Sequence, residues 1–263
     1  MADRKARIVA VANQKGGVGK TTTSVNLAAG LAQMKRKVLL IDMDPQGNAT
    51  TGSGVELVDN QPTVYEVLAG ERDLADVIVH RQEEHLDVAP ANGDLTASEV
   101  SLMERIGRER VLSKAIEPIA GRYDHIIIDC PPALNVLTLN ALTAAHGVLI
   151  PMQCEYYALE GLSALMGTIE EIRDSVNEGL EIEGLIRTMY DVRNNLSGEV
   201  SRQLNEYFGD KVFRTIVPRN VRVAEAPSFG QSVLIYDPES RGSLAYQGLS
   251  GEYVRRLQEV SPS

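Results

Sequence analysis

Asn13-Gln14-Lys15-Gly16-Gly17-Val18-Gly19-Lys20-Thr21-Thr22 is the stretch from which the rest of the chain can be read. An apolar run, Ile8 to Ala12, precedes it and an amphipathic segment, Thr21 to Lys35, follows, so its glycines stand in a strand-to-helix turn. Glycines in such a turn let successive backbone N–H groups face one centre, and the helix that follows adds the positive end of its dipole. Together these features bind phosphate. Gly16, Gly17, Val18 and Gly19 supply the backbone donors, and Thr22 continues the segment into the helix. Lys20 neutralises the β- and γ-phosphates, and the Thr21 hydroxyl coordinates Mg²⁺. The general phosphate-loop pattern has glycine where this chain has Gln14, and Lys15 is an additional lysine.

Outward from this loop, apolar runs recur at Ile8 to Ala12, Val38 to Asp42, His125 to Asp129, Gly147 to Met152, Ile182 to Tyr190 and Lys211 to Pro218. Several are almost continuously apolar, as parallel strands covered on both faces are. Thr21 to Lys35, Leu134 to Ala145 and Leu159 to Val176 are long enough for crossover helices. The alternation predicts an α/β fold with a doubly wound, mostly parallel sheet and helices on both faces. Gly47 to Gly121 is less regular, and is expected to pack helices and a short strand, Leu86 to Ala89, around the main sheet.

The chain has 263 residues, 43% hydrophobic and 24% charged, which excludes disorder and predicts one domain over residues 1–263. No run approaches the roughly 20 apolar residues of a membrane span, and the N-terminus lacks the apolar core of a signal peptide, so the expected location is cytoplasmic. Cys130 and Cys154 are too few for a disulfide framework and are expected to be buried thiols. The net charge of −10 argues against nucleic acid unless a basic patch is concentrated locally. Between Arg187 and Arg222 seven basic residues (Arg187, Arg193, Arg202, Lys211, Arg214, Arg219, Arg222) face four acidic ones (Asp191, Glu199, Glu206, Asp210), a local balance of +3.

Two strands end in carboxylates. Asp42-Met43-Asp44-Pro45-Gln46 closes the second, at the carboxyl edge where doubly wound sheets bind ligands. A carboxylate there can orient a water toward a γ-phosphate. Asp42 shares the face of Asp44 and supports either the Mg²⁺ shell or the loop. Ile126-Ile127-Ile128-Asp129-Cys130-Pro131-Pro132 ends a later strand, where Asp129 can hold a Mg²⁺-bound water beside Thr21 and the prolines stiffen the next loop.

Lys15 to Thr21 resembles the deviant Walker A motif of the ParA and MinD ATPases, a family that also includes the nitrogenase iron protein. The resemblance continues through Val38 to Gln46, Ile126 to Pro132 and Arg219 to Ser228. It implies a deviant P-loop ATPase using ATP and Mg²⁺, in which Lys15 reaches across an ATP-dependent homodimer to the partner's nucleotide and Asp44 activates water. It further implies an adenine site at the late strand ends, for which Pro218, Asn220 and Met189 are candidates, with turn formation as their other reading. Arg193 and Arg222 look like positions used for non-specific binding to double-stranded DNA, with Arg219 and Arg187 the next candidates in the basic segment; surface ion pairs are the alternative. The implied cycle closes a dimer on ATP, coats the nucleoid, and ends when a ParB-type centromere-binding protein stimulates hydrolysis.

Other branches fit less well. MinD-like membrane attachment needs a basic amphipathic C-terminal helix, and the apolar face of residues 252–263 is short. An iron-sulfur reductase needs cysteines in other surroundings, and the tyrosine-kinase branch a richer tail than Tyr246 and Tyr253. A metabolic enzyme that activates a small substrate needs further catalytic groups, but His80, His85, His125 and His146 are scattered. With the phosphate loop about a dozen residues from the N-terminus, an operator-binding helix-turn-helix domain is not expected.

Overall fold

Ile126, Ile127 and Ile128 point alternately to the two faces of one strand, and each face has its own core. The computed structural model describes residues 6–156 and 158–260. Its strands are β1 (Arg7–Val11), β2 (Val38–Asp42), β3 (Val79–Arg81), β4 (Leu86–Ala89), β5 (His125–Asp129), β6 (Gly147–Gln153), β7 (Glu181–Tyr190) and β8 (Val212–Pro218). Among the described residues they form one eight-stranded sheet in the order β3-β4-β2-β5-β1-β6-β7-β8. Every neighbouring pair is parallel except β3 and β4.

The helices are α1 (Lys20–Gln33), α2 (Asn48–Gly52), α3 (Val64–Ala69), α4 (Leu74–Val77), α5 (Leu95–Met103), α6 (Val111–Ile116), α7 (Val136–Ala144), α8 (Ala158–Ser175), α9 (Asn195–Phe208), α10 (Val221–Glu225), α11 (Val233–Tyr236) and α12 (Arg241–Val260). On one face Ala10, Ile41, Ile126, Ile128 and Ile150 pack with α3 and α5 to α9. On the other, Val11, Leu40, Ile127 and Leu149 pack with Leu27 and Leu31 of α1 and with Tyr246, Leu249 and Tyr253 of α12. The apolar face of α12 is thus committed to the core; residues 261–263, included in the membrane reading of the C-terminus, lie outside the described residues. No helix of the described residues is long and apolar enough to cross a membrane.

The predicted strands are found within one or two residues of their expected ends, Leu86 to Ala89 among them. The irregular stretch from Gly47 to Gly121 holds α2 to α6 and also β3, a three-residue antiparallel edge strand too short to show a period. β1 lies between β5 and β6, so the chain leaves it toward opposite halves of the sheet and the crevice beyond its end is a switch point of the topology. Pro151 is tolerated in central β6 because β1 pairs with it only as far as Leu149, so no ladder bond on that side loses its donor. Its carbonyl instead accepts the Asn13 amide at 2.8 Å, anchoring the start of the phosphate loop.

Gly47 joins the β2 loop to α2 with φ +63°, and a Cβ there would lie 2.8 Å from the Ala91 carbonyl oxygen. Gly47→Ala is expected to destabilise the protein by about 1–3 kcal/mol, measured as a shift in the urea midpoint with an unchanged slope.

Candidate functional site: a phosphate loop between two buried carboxylates

The loop after β1 is shaped by backbone conformations that favour glycine. Gly17 and Gly19 have φ +72° and +86°, and no atom lies within 4 Å of a Cβ placed at Gly16 or Gly17. This leaves room for phosphoryl oxygens against the main chain. Gly19 begins α1, and no side chain caps the first N–H groups of that helix. The helices α7 and α9, by contrast, are capped by Asn135 and Asn194. α1 therefore keeps its N-terminal donors and its dipole for an external anion. Asn13 Oδ1 accepts the Lys15 N–H at 3.0 Å, and Thr188 at the end of β7 donates its hydroxyl to the Val18 carbonyl at 2.7 Å, so the loop is fastened at both flanks.

The two lysines of the loop part company. Lys20 is 7% exposed and donates from Nζ to the Lys15 carbonyl at 3.2 Å, across the loop mouth. Burial lowers its pKa, with the charge of Asp129 opposing the shift. Lys15 instead turns outward, its side chain 41% exposed, and pairs with Glu155 at 2.7 Å.

Asp129 ends β5 with no exposure and accepts from two hydroxyls of α1: Thr21 Oγ1 at 2.8 Å and Ser24 Oγ at 2.7 Å. Ser24 lies three residues beyond Thr21 on the same helix face, a spacing from which it could have been picked out, although it was not among the expected site residues. Asp42 occupies the matching position on the adjacent strand, in register with Asp129. Its oxygens accept the Asp44 N–H at 3.0 Å and the Thr50 N–H and hydroxyl at 2.8 Å each. Of the two tasks open to Asp42, these bonds belong to the one directed at the loop. Asp44 sits two residues on, 8% exposed, with Oδ1 accepting the Gln46 N–H at 3.0 Å. Burial pushes the pKa of both Asp42 and Asp129 upward, and the charge of Asp42 adds to the shift at Asp129.

The late strand ends meet, because β7 pairs with β8 and Tyr190 is in register with Pro218. Met189 has φ +46°, which is uncommon for a side chain of its size, and its sulfur accepts the Gln153 amide at 3.1 Å. Its terminal methyl stands 3.7 Å from a Cβ placed on Gly19. Asn220 accepts the Val223 N–H at 3.2 Å and caps α10, the turn-forming role weighed against a base contact. Arg193, Arg219 and Arg222 share this edge. Arg193 makes three hydrogen bonds to Asp191, two from its guanidinium at 2.9 and 2.8 Å and one from its backbone N–H at 3.0 Å, and holds that carboxyl down at about 2. Arg222, in the first turn of α10, pairs with Glu225 at 2.9 Å and Asp237 at 3.2 Å.

Arg187 departs from expectation. It is 6% exposed and donates to the Ser201 hydroxyl and the Phe213 carbonyl, so it braces β7 against α9 and β8 and is not available to DNA. Position along the strand explains it: Arg187 precedes the strand end by three residues and points into the layer of helices. Cys130 and Cys154 are free and buried, as expected.

The arrangement fits a magnesium nucleotide: open main-chain donors for phosphate, one buried lysine, and a hydroxyl beside a buried carboxylate on the Mg²⁺ side. Comparison with known proteins agrees. The family model described as an AAA domain matches residues 6–182. The chain is 51% identical to the sporulation initiation inhibitor protein Soj of Bacillus subtilis, over 94% of this chain and 97% of that one. It is 50% identical to the chromosome partitioning protein ParA of Caulobacter vibrioides, over 98% of each. Among solved structures, a cobyrinic acid a,c-diamide synthase from Mycobacterium smegmatis, with bound ADP and magnesium, superposes with a TM-score of 0.85 at 36% identity, covering 97% of each chain.

The raised carboxyl pKa values have a testable sign. A group whose pKa is higher in the folded than in the unfolded chain stabilises the fold most when protonated, and that contribution is lost as pH rises from its unfolded value through its folded one. Asp129 moves upward from 3.8, so the metal-free protein loses stability across the range above pH 4 and up to neutrality. Asp129→Asn should remove this loss. Its denaturation midpoint relative to wild type, measured in EDTA, is expected to climb as pH increases from 4.5 to 7.5.

Proposed function

Since the chain belongs to the ParA and Soj family of partitioning ATPases, we propose that ATP closes it into a sandwich homodimer that binds double-stranded DNA without sequence preference, and that hydrolysis stimulated by a ParB-type centromere-binding protein releases it. The protein is an ATP-hydrolysing enzyme, and its cofactors are ATP and Mg²⁺. In this reading it works in the cytoplasm, on the nucleoid. A single α/β domain carries the whole cycle.

The observation that carries the proposal is the separation of the two loop lysines. Lys20 is buried across the loop mouth and meets the needs of the nucleotide bound to its own subunit. Lys15 faces outward, its side chain held by an exposed ion pair with Glu155, which supports a role at a nucleotide bound to a second subunit. Glu155 must then release it. An exposed pair of this kind contributes at most about 1 kcal/mol, so phosphate can displace the carboxylate readily.

Within each subunit, Thr21 and Asp129 would hold the Mg²⁺ side, and Asp44 would orient the attacking water. Mg²⁺ supplies neutralisation of the phosphate charge when bound. Ser24 keeps the second oxygen of Asp129 engaged, fixing its orientation. The Pro131-Pro132 loop leaves directly from Asp129 toward α7, so a change at the γ-phosphate has a short route to the surface.

A substrate-activating enzyme is the second reading, favoured by the solved relative described as a diamide synthase. The partitioning relatives match more closely, at 50–51% against 36%, over nearly the whole chain. Sedimentation with Mg-ATP and with Mg-ADP separates the two. A dimer that requires ATP and persists in Asp44→Ala, with hydrolysis lost, is expected. Lys15→Ala should bind nucleotide and stay monomeric, whereas Lys20→Ala should lose nucleotide affinity itself. Equal behaviour of the two lysine variants would remove the case for a trans contact.

DNA binding rests on Arg193, Arg222 and Arg219 at the shared strand edge. Each phosphate contact contributes about 0.9 to the slope of log affinity against log salt, so losing Arg193 and Arg222 from both subunits should flatten it by up to about 3.6. The paired carboxylates Asp191, Glu225 and Asp237 make that an upper bound, because each arginine must exchange partners to bind. The check is a salt titration of Arg193→Ala/Arg222→Ala on unrelated duplexes with ATP. An unchanged slope with dimerisation intact would leave Arg219 as the remaining candidate at this edge.

A further inference from the structure

Arg72, Arg105, Lys114 and Arg122 line a single cavity of about 370 Å³, together with one acid, Asp73. No residue of the phosphate loop lines the cavity. α3 starts where β4 ends, its Val64 N–H donating to the Pro90 carbonyl, and runs back to Gly70 at the cavity rim. Arg122 stands three residues before β5 begins. Both place the cavity at the amino edge of the sheet, opposite the nucleotide crevice.

Two features mark it as a binding site. No ion pair neutralises any of the four cations among the described residues, whereas Lys15, Arg193 and Arg222 each have a carboxylate partner. Four cations therefore face one cavity that a single acid, Asp73, also lines. Arg105 is moreover held in place, donating from Nη1 to the Leu68 carbonyl at 3.0 Å beside Gly70, so one edge of its guanidinium is fixed. The floor between the cations is apolar, with Val67, Leu74 and Val111 contributing.

From this we propose that the cavity is a second anion site, for a small phosphorylated molecule whose phosphoryl oxygens lie on the arginines and whose ring rests on the apolar floor. Three of the four cations are arginines, whose planar fork matches phosphoryl oxygens. The volume is that of a nucleotide-sized ligand, and a concave site of this size does not admit the convex surface of a duplex. The site is tied to the machinery of the nucleotide crevice by Asn140 of α7, which accepts the Leu112 N–H at 3.1 Å and donates to the Arg108 carbonyl at 2.8 Å. The segment lining the cavity is thereby fastened to the helix that follows Asp129 and the two prolines.

The test is calorimetry on protein carrying one equivalent of a fluorescent ADP, whose signal reports any displacement from the phosphate loop. Guanosine 5′-monophosphate is expected to bind with one further equivalent and no loss of the ADP signal, and guanosine is expected not to bind. Inorganic tripolyphosphate is expected to bind more weakly than the monophosphate, and binding as tight as the monophosphate's would overturn the ring contact with the apolar floor. Arg105→Ala/Arg122→Ala should weaken binding at least tenfold, and so should Arg72→Ala/Lys114→Ala, which leaves the Arg105 anchor in place; ADP affinity should be unchanged in both. No further equivalent with either phosphate probe, binding that only displaces ADP, or affinity unaltered in both double variants would overturn the proposal. Loss of binding to a short duplex alone, with no small-phosphate binding in wild type, would overturn it in favour of a DNA surface.

Discussion

Two carboxylates buried side by side at the ends of adjacent strands, Asp42 on β2 and Asp129 on β5, are the constraint around which the rest of the molecule is arranged. Neighbouring strands lie about 4.8 Å apart, and burying two acids at that spacing is unfavourable unless each finds donors. The chain solves the problem differently for each. Asp42 is satisfied by the loop that follows it, through the Asp44 N–H and Thr50, and that loop is where Asp44 stands. Asp129 is satisfied from outside its own loop, by Thr21 and Ser24 of α1 on the same face of the sheet. One carboxylate therefore holds the loop that carries Asp44 and the other ties the phosphate loop's helix to the strand behind it.

This arrangement explains which parts of the site could be read in advance. The loop from Lys15 to Thr22 and the acids at residues 42, 44 and 129 announce themselves because each needs a particular residue at a strand end, and strand ends are visible as the places where apolar runs stop. Ser24, Thr50 and Thr188 were not legible in the same way. They are ordinary hydroxyls inside regular elements, and their importance comes from what tertiary packing sets opposite them. Ser24 alone carries a local signal, its helical spacing from Thr21. The same limit accounts for Arg187, which a count of charges places among the surface cations although the pleat turns it inward to Ser201 and Phe213. Strand β3 was invisible for another reason: three residues cannot display an alternation, and its pairing with β4 is made by a turn the pattern does not encode.

Charge shows the same division between composition and placement. A net −10 describes the surface as a whole, yet two sets of cations differ in their surroundings. At the β7 and β8 edge Arg193 pairs with Asp191, and Arg222 with Glu225 and Asp237. Those of the α3 to α6 cavity have no ion-pair partner among the described residues. In the proposed DNA-bound dimer, the arginines of a matched edge would have to exchange carboxylate for phosphate, an exchange that two subunits presenting them together would favour.

The same reasoning applies to Lys15 and gives the proposed switch its direction. Its pairing with Glu155 is exposed on both sides, so it contributes little to the stability of the monomer and is readily exchanged. Lys20, in contrast, is buried across the loop mouth and pays for that position in a lowered pKa, a penalty that the negative charge of bound phosphate relieves. Nucleotide binding to one subunit is then favoured by relief of an existing strain. In the proposed cycle, dimer formation would depend on a lysine that loses almost nothing by leaving its resting partner. A cycle of that kind would bind nucleotide first and associate second, and its reversal would need only the loss of the phosphate that outcompetes Glu155.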